Sequence, residues 1–298
     1  MELRYLRYFV AVAEEGSLSL AAARRLHTSQ PSLSRQIRDL ESEVGAGLLT
    51  RGARGVDLTA AGRVFLDHAR LILAQVDAAG EAARRAAQPG RRTFAIGFLT
   101  GHEMNWLSQA MHLLRDELQQ IEVKISSNYS PDLASALVRG SLDEAFLRVE
   151  PGFDLEYRVV TGEPLVVLMP SDHRLAARKS IRPQDLAGEI FIGASNKAAV
   201  LRAVTERYLK RAGVELELDH GVDNLSMAIS LVASTRGVSL MPAYAKNLLP
   251  RSVVSRPLKG DAPTIDLAVG YSKANTSPIL TLFLSRVDEL IARAQRPG

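Results

Sequence analysis

The sequence predicts an α/β protein that opens on a separate, largely helical module, a winged helix-turn-helix. Two patterns carry this reading. Over the first 59 residues, apolar positions recur at helical spacing in three short stretches, followed by two brief strand-like runs. Beyond residue 92, β-rich runs alternate with helical ones, the pattern of a sheet with helices on both faces. Charge supplies a third observation. The whole net charge of +4 lies in residues 1–92, which hold fourteen arginines, no lysine and ten acids. The planar guanidinium suits phosphate and guanine better than a lysine point charge does; an ordinary solvated surface is the competing explanation.

Taken in order, Leu3, Leu6, Phe9, Val10 and Ala13 mark a first helix that Gly16 stops. Ser17 or Ser19 caps a second, running through Ala21, Ala22 and Ala23 to Leu26. His27, Thr28 and Ser29 make a short turn. Ser29 caps a third helix with Pro31 in its first turn, where a missing N–H costs nothing. Leu33, Ile37, Leu40 and Val44 form its apolar face, and Gly45 and Gly47 end it. Residues 48–59 read as two short strands around the turn Gly52-Ala53-Arg54-Gly55. From Ala60 to Ala87 the chain is helix-compatible throughout. Phe65, Ile72 and Ala79 recur every seven residues with Ala69, Val76 and Ala83 interleaved, the seam of a coiled coil; a helix packed on its own chain is the alternative. Gln88 to Arg92 read as a linker.

In the remainder, candidate strands at 93–99, 121–127, 144–149, 165–169, 190–193, 238–241 and 265–271 alternate with helical stretches at 104–119, 131–139, 197–212, 224–235 and 276–294. The expected domains are therefore 1–59 for the helix-turn-helix, 60–92 for the linker helix and hinge, and 93–298 for the α/β part.

Catalytic constellations are missing. Cysteine is absent, which removes disulfides, thiolate nucleophiles and thiolate metal sites together. There is no G-x-S-x-G, P-loop, G-x-G-x-x-G or H-E-x-x-H. The six histidines are scattered, and Asp172-His173 reads as a surface pair in a loop. Asp143 and Glu144 are adjacent, so in a strand they point to opposite faces. The expectation is a protein that is not an enzyme and uses neither cofactor nor metal. The N-terminus lacks the order of a signal peptide and no apolar run approaches the roughly 20 residues that cross a bilayer, so a cytoplasmic protein without a membrane partner is expected.

Binding is better supported. Two helices joined by three residues give helix-turn-helix geometry. On the third helix Gln30, Ser34 and Arg38 recur at i, i+4 and i+8 with Pro31 and Arg35 beside them, a stripe read as facing away from the leucines. Gln and Arg reach base edges in a major groove and Ser holds phosphate, although an ordinary surface helix shows such a stripe too. So few arginines neutralise few phosphates, so one copy binds weakly and a pair bridging two half-sites is expected. In the α/β part, Thr100-Gly101-His102 joins a strand to a helix, where free N–H groups favour a carboxylate. Ser126–Ser130 makes a second such junction. Arg148 ends a mostly apolar strand and either pairs with a structural acid or receives an anionic ligand. Ligands of open α/β sheets gather at such strand ends.

The opening segment, and AAARRLHTSQPSLSRQIRDLE within it, followed by the LTRGARGVDLTAAG wing and continuation, resembles the DNA-binding region of the LysR-type transcriptional regulators. The resemblance continues more weakly over the rest, where GVSLMP at 237–242 is similar to the family's glycine-initiated strand. It implies that the positions of Gln30, Pro31, Ser34 and Arg35 face the major groove and that wing Arg54 enters the minor groove. Thr28, Ser32, Arg38 and Arg51 complete the expected DNA-reading set for double-stranded promoter DNA. It further implies a dimer through the linker helix, often within a tetramer. The implied effector domain has two subdomains, like a periplasmic solute-binding protein: 93–162 with 267–298, and 163–266. A small effector, suggested to be an organic carboxylate, would sit between them among Thr100, Gly101, His102, Ser130, Arg148, Ser195, Asn196 and Asn224. The expected function is a ligand-responsive transcription regulator. A constitutive DNA-binding protein whose α/β part only assembles it is the alternative, and an enzyme with an appended helix-turn-helix a more distant one.

Overall fold

A computed structural model describes residues 1–52, 55–87 and 92–294, and the chain divides into two compact units, Met1–Arg84 and Arg85–Gly298. The first unit begins with α1 (Leu3–Glu15), closed by Gly16 in the left-handed conformation. Ser17, whose hydroxyl accepts from Leu20 N, starts α2 (Leu18–Leu20). The alanine-rich stretch expected to continue as an α-helix instead widens into a π-helical turn, Ala21–Arg25. Leu26 N reaches back five residues to Ala21 O, and Ala21 and Ala22 are buried in the core. After the expected turn, Ser29 caps α3 (Gln30–Val44) by accepting from Ser32 N, with Pro31 in the first turn and Gly45 as the left-handed end. Leu33, Ile37 and Leu40 are buried against Leu6, Phe9 and Val12 of α1.

The wing follows as β1 (Leu49–Gly52) paired antiparallel with β2 (Gly55–Leu58). Glu41 holds its base by accepting from both Leu48 N and Leu49 N. The helix α4 (Ala60–Ala87) has the bounds the sequence suggests. Gly62 is required near its start, because a Cβ there would lie 2.0 Å from Leu48 O. The expected heptad seam divides along its length. Phe65, Leu66 and Ala69 pack into the unit's own core, with Phe65 edge-on to Phe9, while Ile72, Ala79 and Ala83 face solvent. The linker residues 88–91 lie outside the described residues.

The second unit alternates as expected: β3 (Arg92–Leu99), α5 (Glu103–Leu113), β4 (Ile121–Asn128), α6 (Ser130–Val138), β5 (Glu144–Leu147), β6 (Glu156–Pro170), β7 (Phe191–Ala194), α7 (Ala199–Arg211), β8 (His220–Val222), α8 (Leu225–Thr235), β9 (Val238–Pro242), β10 (Val253–Pro257), β11 (Thr264–Tyr271) and α9 (Pro278–Ala294). Its sheet runs β4-β3-β5-β11-β6-β9-β7-β8, with β10 also on β6. The sequence reading missed β8, β10 and the first half of β6, all short of the apolar runs by which buried strands are recognised. The helix expected at 104–119 ends at Leu113 and gives way to turns.

The neighbours β4, β3 and β5 are parallel, as are β8, β7 and β9, while β11 and β6 run antiparallel between the two sets. The core changes identity along these two central strands. Val160 of β6 and Leu267 of β11 join Phe94, Phe98, Trp106, Phe146 and Phe283; Leu165 and Ile265 join Tyr208, Leu209, Val238 and Leu240. The parallel strands of both halves end at the same crevice.

Candidate functional site

Two sites emerge, one in each unit. On α3, burial of Leu33, Ile37 and Leu40 turns Pro31, Arg35 and Arg38 outward, and Gln30 is exposed at the helix start. Arg35 and Arg38 make no ion pair with another described residue, so both guanidinium groups are available. Ser34 does not belong to this ridge: it is only 8% exposed. At about 100° of turn per residue, Ser34 lies roughly 60° from Ile37, on the flank of the apolar face, and is small enough to be covered there. Ser32 is half-buried and its hydroxyl accepts from Gln36 at 3.1 Å. Thr28 is half-buried in the turn. The backbone of Arg51 lies in β1, and Arg54 lies outside the described residues. Behind the ridge, Glu14 accepts from Arg25 at 2.5 Å and Arg70 at 2.8 Å, joining α1, the π turn and α4.

In the second unit a cavity opens at the crevice where the strands end. Its walls are mainly apolar: Leu99, Val200, Leu201, Val222, Leu225 and Met241 among them. Polar groups gather at two ends. Thr100, Ser130, Arg148 and Glu150 come from the ends of β3, β4 and β5, and Lys197, Asp223 and Asn224 from the far half. The helix starts α6 and α8 meet over it, where Asn224 caps α8 and donates to the Tyr129 hydroxyl at 3.2 Å.

Of the eight residues expected at the effector site, Thr100, Ser130, Arg148 and Asn224 line the cavity. The other four do not, and each for a visible reason. Gly101 has φ 92° and turns the chain past Tyr244, whose ring would lie 3.2 Å from an added Cβ. His102 is fully buried, its ring tilted 45° against that of Tyr244 with centroids 3.9 Å apart, and with Nε2 bonded to Glu163 at 3.2 Å. Ser195 is spent on the turn: its hydroxyl donates to Asp223 at 2.5 Å and accepts from Lys197 N. Asn196 accepts from Arg202 on the outer side. Nor is the junction before α5 open to an anion, because Glu103 accepts from Gly101 N at 2.7 Å and Thr100 N and His102 N are bonded to backbone carbonyls.

Arg148 pairs with a structural acid while still lining the cavity. It is buried and donates to Glu163 at 2.7 Å and Ile265 O at 3.4 Å, while its own backbone N–H donates to Ser130 Oγ at 2.8 Å. Burial pushes the Glu163 carboxyl up, but the His102 hydrogen bond and the Arg148 charge together outweigh it and hold the group below the usual carboxylate range. Burial likewise pushes His102 below its ordinary value, against the pull of Glu163, so the imidazole is held towards its neutral form. Burial pushes the Tyr244 hydroxyl up to about 12. Lys197 is bound to Asp223 at 3.0 Å and its ammonium lies 5.8 Å over the Tyr129 ring. Glu150, Glu163, Tyr129, Lys197, Asp223 and Tyr244 were all missed by the sequence reading. Only the β6 pairing brings Glu163 beside Arg148, fifteen residues away, and no local pattern announces it.

His173 also departs from expectation. Its side chain is enclosed, bonded to Glu189 at 3.1 Å and accepting from Leu175 N, while Asp172 pairs with Arg236 at the surface. Among the described residues no group of three or more His, Asp or Glu could hold a metal ion. No helix among them is long and apolar enough to cross a membrane.

Residues 3–63 match the family model of the bacterial regulatory helix-turn-helix protein, lysR family, and residues 87–291 match the LysR substrate binding domain. The chain belongs to the LysR family. It is a ligand-responsive, DNA-binding transcriptional regulator, and its LysR relatives are regulators rather than enzymes. The Hca operon transcriptional activator HcaR of Escherichia coli (strain K12) is 36% identical over 295 residues, covering 98% of this chain and 99% of that one. The regulator AlsR of Bacillus subtilis (strain 168) is 32% identical, covering 95% and 94%. Among solved structures, full-length BenM is similar with a TM-score of 0.60 at 27% identity, each chain fully covered. Full-length CbnR complexed with its target DNA is similar with a TM-score of 0.56 at 26% identity, covering 98% of this chain and 100% of that one. Both share the order of a helical N-terminal module and an α/β effector domain.

Proposed function

We propose that α3 reads promoter DNA and that a small organic acid in the cavity between the two halves of the second unit controls the response. Pro31, Arg35 and Arg38, with Gln30 at the helix start, form the base-reading ridge. Thr28, Ser32 and Ser34 stand beside it as phosphate or positioning contacts, and wing residues Arg51 and Arg54 follow the backbone and minor groove. The observation that carries the effector assignment is the cavity itself: apolar walls with hydroxyls and charges confined to its two ends, at the carboxyl ends of the strands. Such a lining fits an apolar body with a polar head. Arg148 and Lys197 line it too, each already paired with a carboxylate of this chain, and the strand-end hydroxyl of Thr100 offers an acid head group a donor.

Self-association completes the reading. Near the middle of α4, Leu71 and Ile72 are over 40% exposed, and pairing two such helices places two α3 ridges on two half-sites. The likeness of this chain to CbnR complexed with its target DNA supports the DNA-binding half of the reading.

The test has two arms. Arg35→Ala weakens binding to the promoter fragment beside the protein's own gene by about 1–3 kcal/mol and relaxes its sequence preference, read by fluorescence anisotropy at fixed salt. Loss that is equal on unrelated DNA removes the base-reading role. Small organic acids raise the melting temperature progressively as concentration passes the dissociation constant. A flat response across aromatic and aliphatic acids removes the effector role of the cavity.

A further inference from the structure

We propose that Glu150 selects the effector's head group: a monocarboxylic acid enters the cavity as its carboxylate, and one proton drawn from solvent is then shared between it and the Glu150 side chain. The inference rests on the cavity's being the effector site and goes on to say how that site recognises charge.

The charge balance of the lining motivates it. Arg148 is bound to Glu163 at 2.7 Å, and Lys197 to Asp223 at 3.0 Å. Each cation that lines the cavity therefore already has a carboxylate of this chain beside it. Glu150 is the acid left over, 7% exposed and part of the cavity wall. The groups around it are few. Ser130 at the start of α6 hydrogen-bonds it, the Arg148 guanidinium after β5 acts on it at longer range, and Tyr157 on β6 donates to its backbone carbonyl at 3.4 Å. Burial pushes its carboxyl above the ordinary range, with Ser130 and Arg148 opposing.

An incoming carboxylate finds its hydrogen-bond donors at this same end, at Thr100 and the edge of Arg148. It cannot reach them without lying near Glu150. Two carboxylates side by side in an enclosed, largely apolar space do not both stay ionised; one retains a proton and donates to the other. No bond to carbon is made or broken. The complex differs from the free partners by the single proton, held in an O–H···O bridge, and the Arg148–Glu163 pair is left intact.

A neutral amide of the same shape has no proton to share and serves as the internal control. The experiment measures binding of benzoate, cinnamate and hexanoate, and of their amides, to the full chain by calorimetry between pH 6 and 9. Buffers of different ionisation enthalpy report the proton count. For the acids, affinity is expected to fall at least tenfold from pH 6 to pH 9, with uptake approaching one proton per site over part of that range. The amides keep one affinity throughout. In Glu150→Gln the acids lose both the pH dependence and the proton uptake, while amide binding shows that the cavity remains formed. Acid binding with no proton uptake, or a pH dependence that persists in Glu150→Gln, overturns the inference and leaves the effector site standing. If neither acids nor amides bind at any pH, the assignment of the cavity falls and this inference falls with it.

Discussion

In the first unit no charged side chain among the described residues is fully buried, and the one buried polar residue on record is Ser34. In the second, His102, Asp143, Glu144, Arg148, Glu150 and Glu163 are all buried. The difference follows from architecture. Three short helices and a wing enclose one small core, and each arginine side chain described there is exposed at the rim. A sheet covered on both faces buries strand residues whatever their chemistry, so charge there must find a partner or be neutralised, an acid by keeping its proton and a histidine by losing one. Surface pairs such as Glu14–Arg25 contribute little to stability, which leaves the first unit's charges available for an external anion. The cations lining the second unit's cavity are committed internally, and a ligand meets a site whose positive charge is already balanced.

The sharpest way to break this contrast is Arg148→Ala. It leaves Glu163 enclosed without its cation and should cost about 3–5 kcal/mol, read as a lowered melting temperature. Adding Glu163→Gln should restore part of the loss, since the stranded charge disappears. A fall no larger than that of Arg139→Ala, at an exposed site, would make the buried pair no different from the surface ones.

A smaller effect is expected from Glu144→Gln. Both carboxylate oxygens of Glu144 are buried without a hydrogen-bond partner, and burial, reinforced by Asp143, pushes its carboxyl well above the ordinary 4.5. A raised folded value means the folded chain binds the extra proton. The contribution is therefore fully present below about pH 4.5 and is lost as pH rises through the folded value. Wild-type stability should decline across that window, and the Gln variant should flatten the decline. Equal slopes for the two proteins in denaturant titrations at several pH values would show that Glu144 is not the group responsible.

The smallest effect belongs to the first unit. Ser29→Ala removes the cap of α3 and should destabilise by about 1 kcal/mol with no change in pH dependence, a result that chemical denaturation can check. A pH-dependent loss would mean that this unit too stores buried charge.

How much of this was legible in the sequence varies with the same division. The cap at Ser29, the stop at Gly45, the two wing strands and the bounds of α4 were readable because each depends on residues within a few positions. The π turn was not, since the alanines before Leu26 carry no signal for one register over another. Thr100, Ser130, Arg148 and Asn224 were placed in the cavity because strand ends and helix starts are recognisable along the chain. His102 and Ser195, chosen on the same grounds, point elsewhere; side-chain direction at a turn depends on what packs against it, here Tyr244 and Asp223.

By itself the sequence determined the local patterns: the apolar faces of α1 and α3, the ends of α3 and α4, and that strands and helices alternate after residue 92. The tertiary structure decided which charges meet. Glu163 reaches Arg148, and Asp223 reaches Lys197, through strand pairings and chain reversals that bring distant segments together. Propensity and capping act over one turn of chain, whereas an ion pair or a cavity wall is fixed by sheet order, which no short window of residues contains.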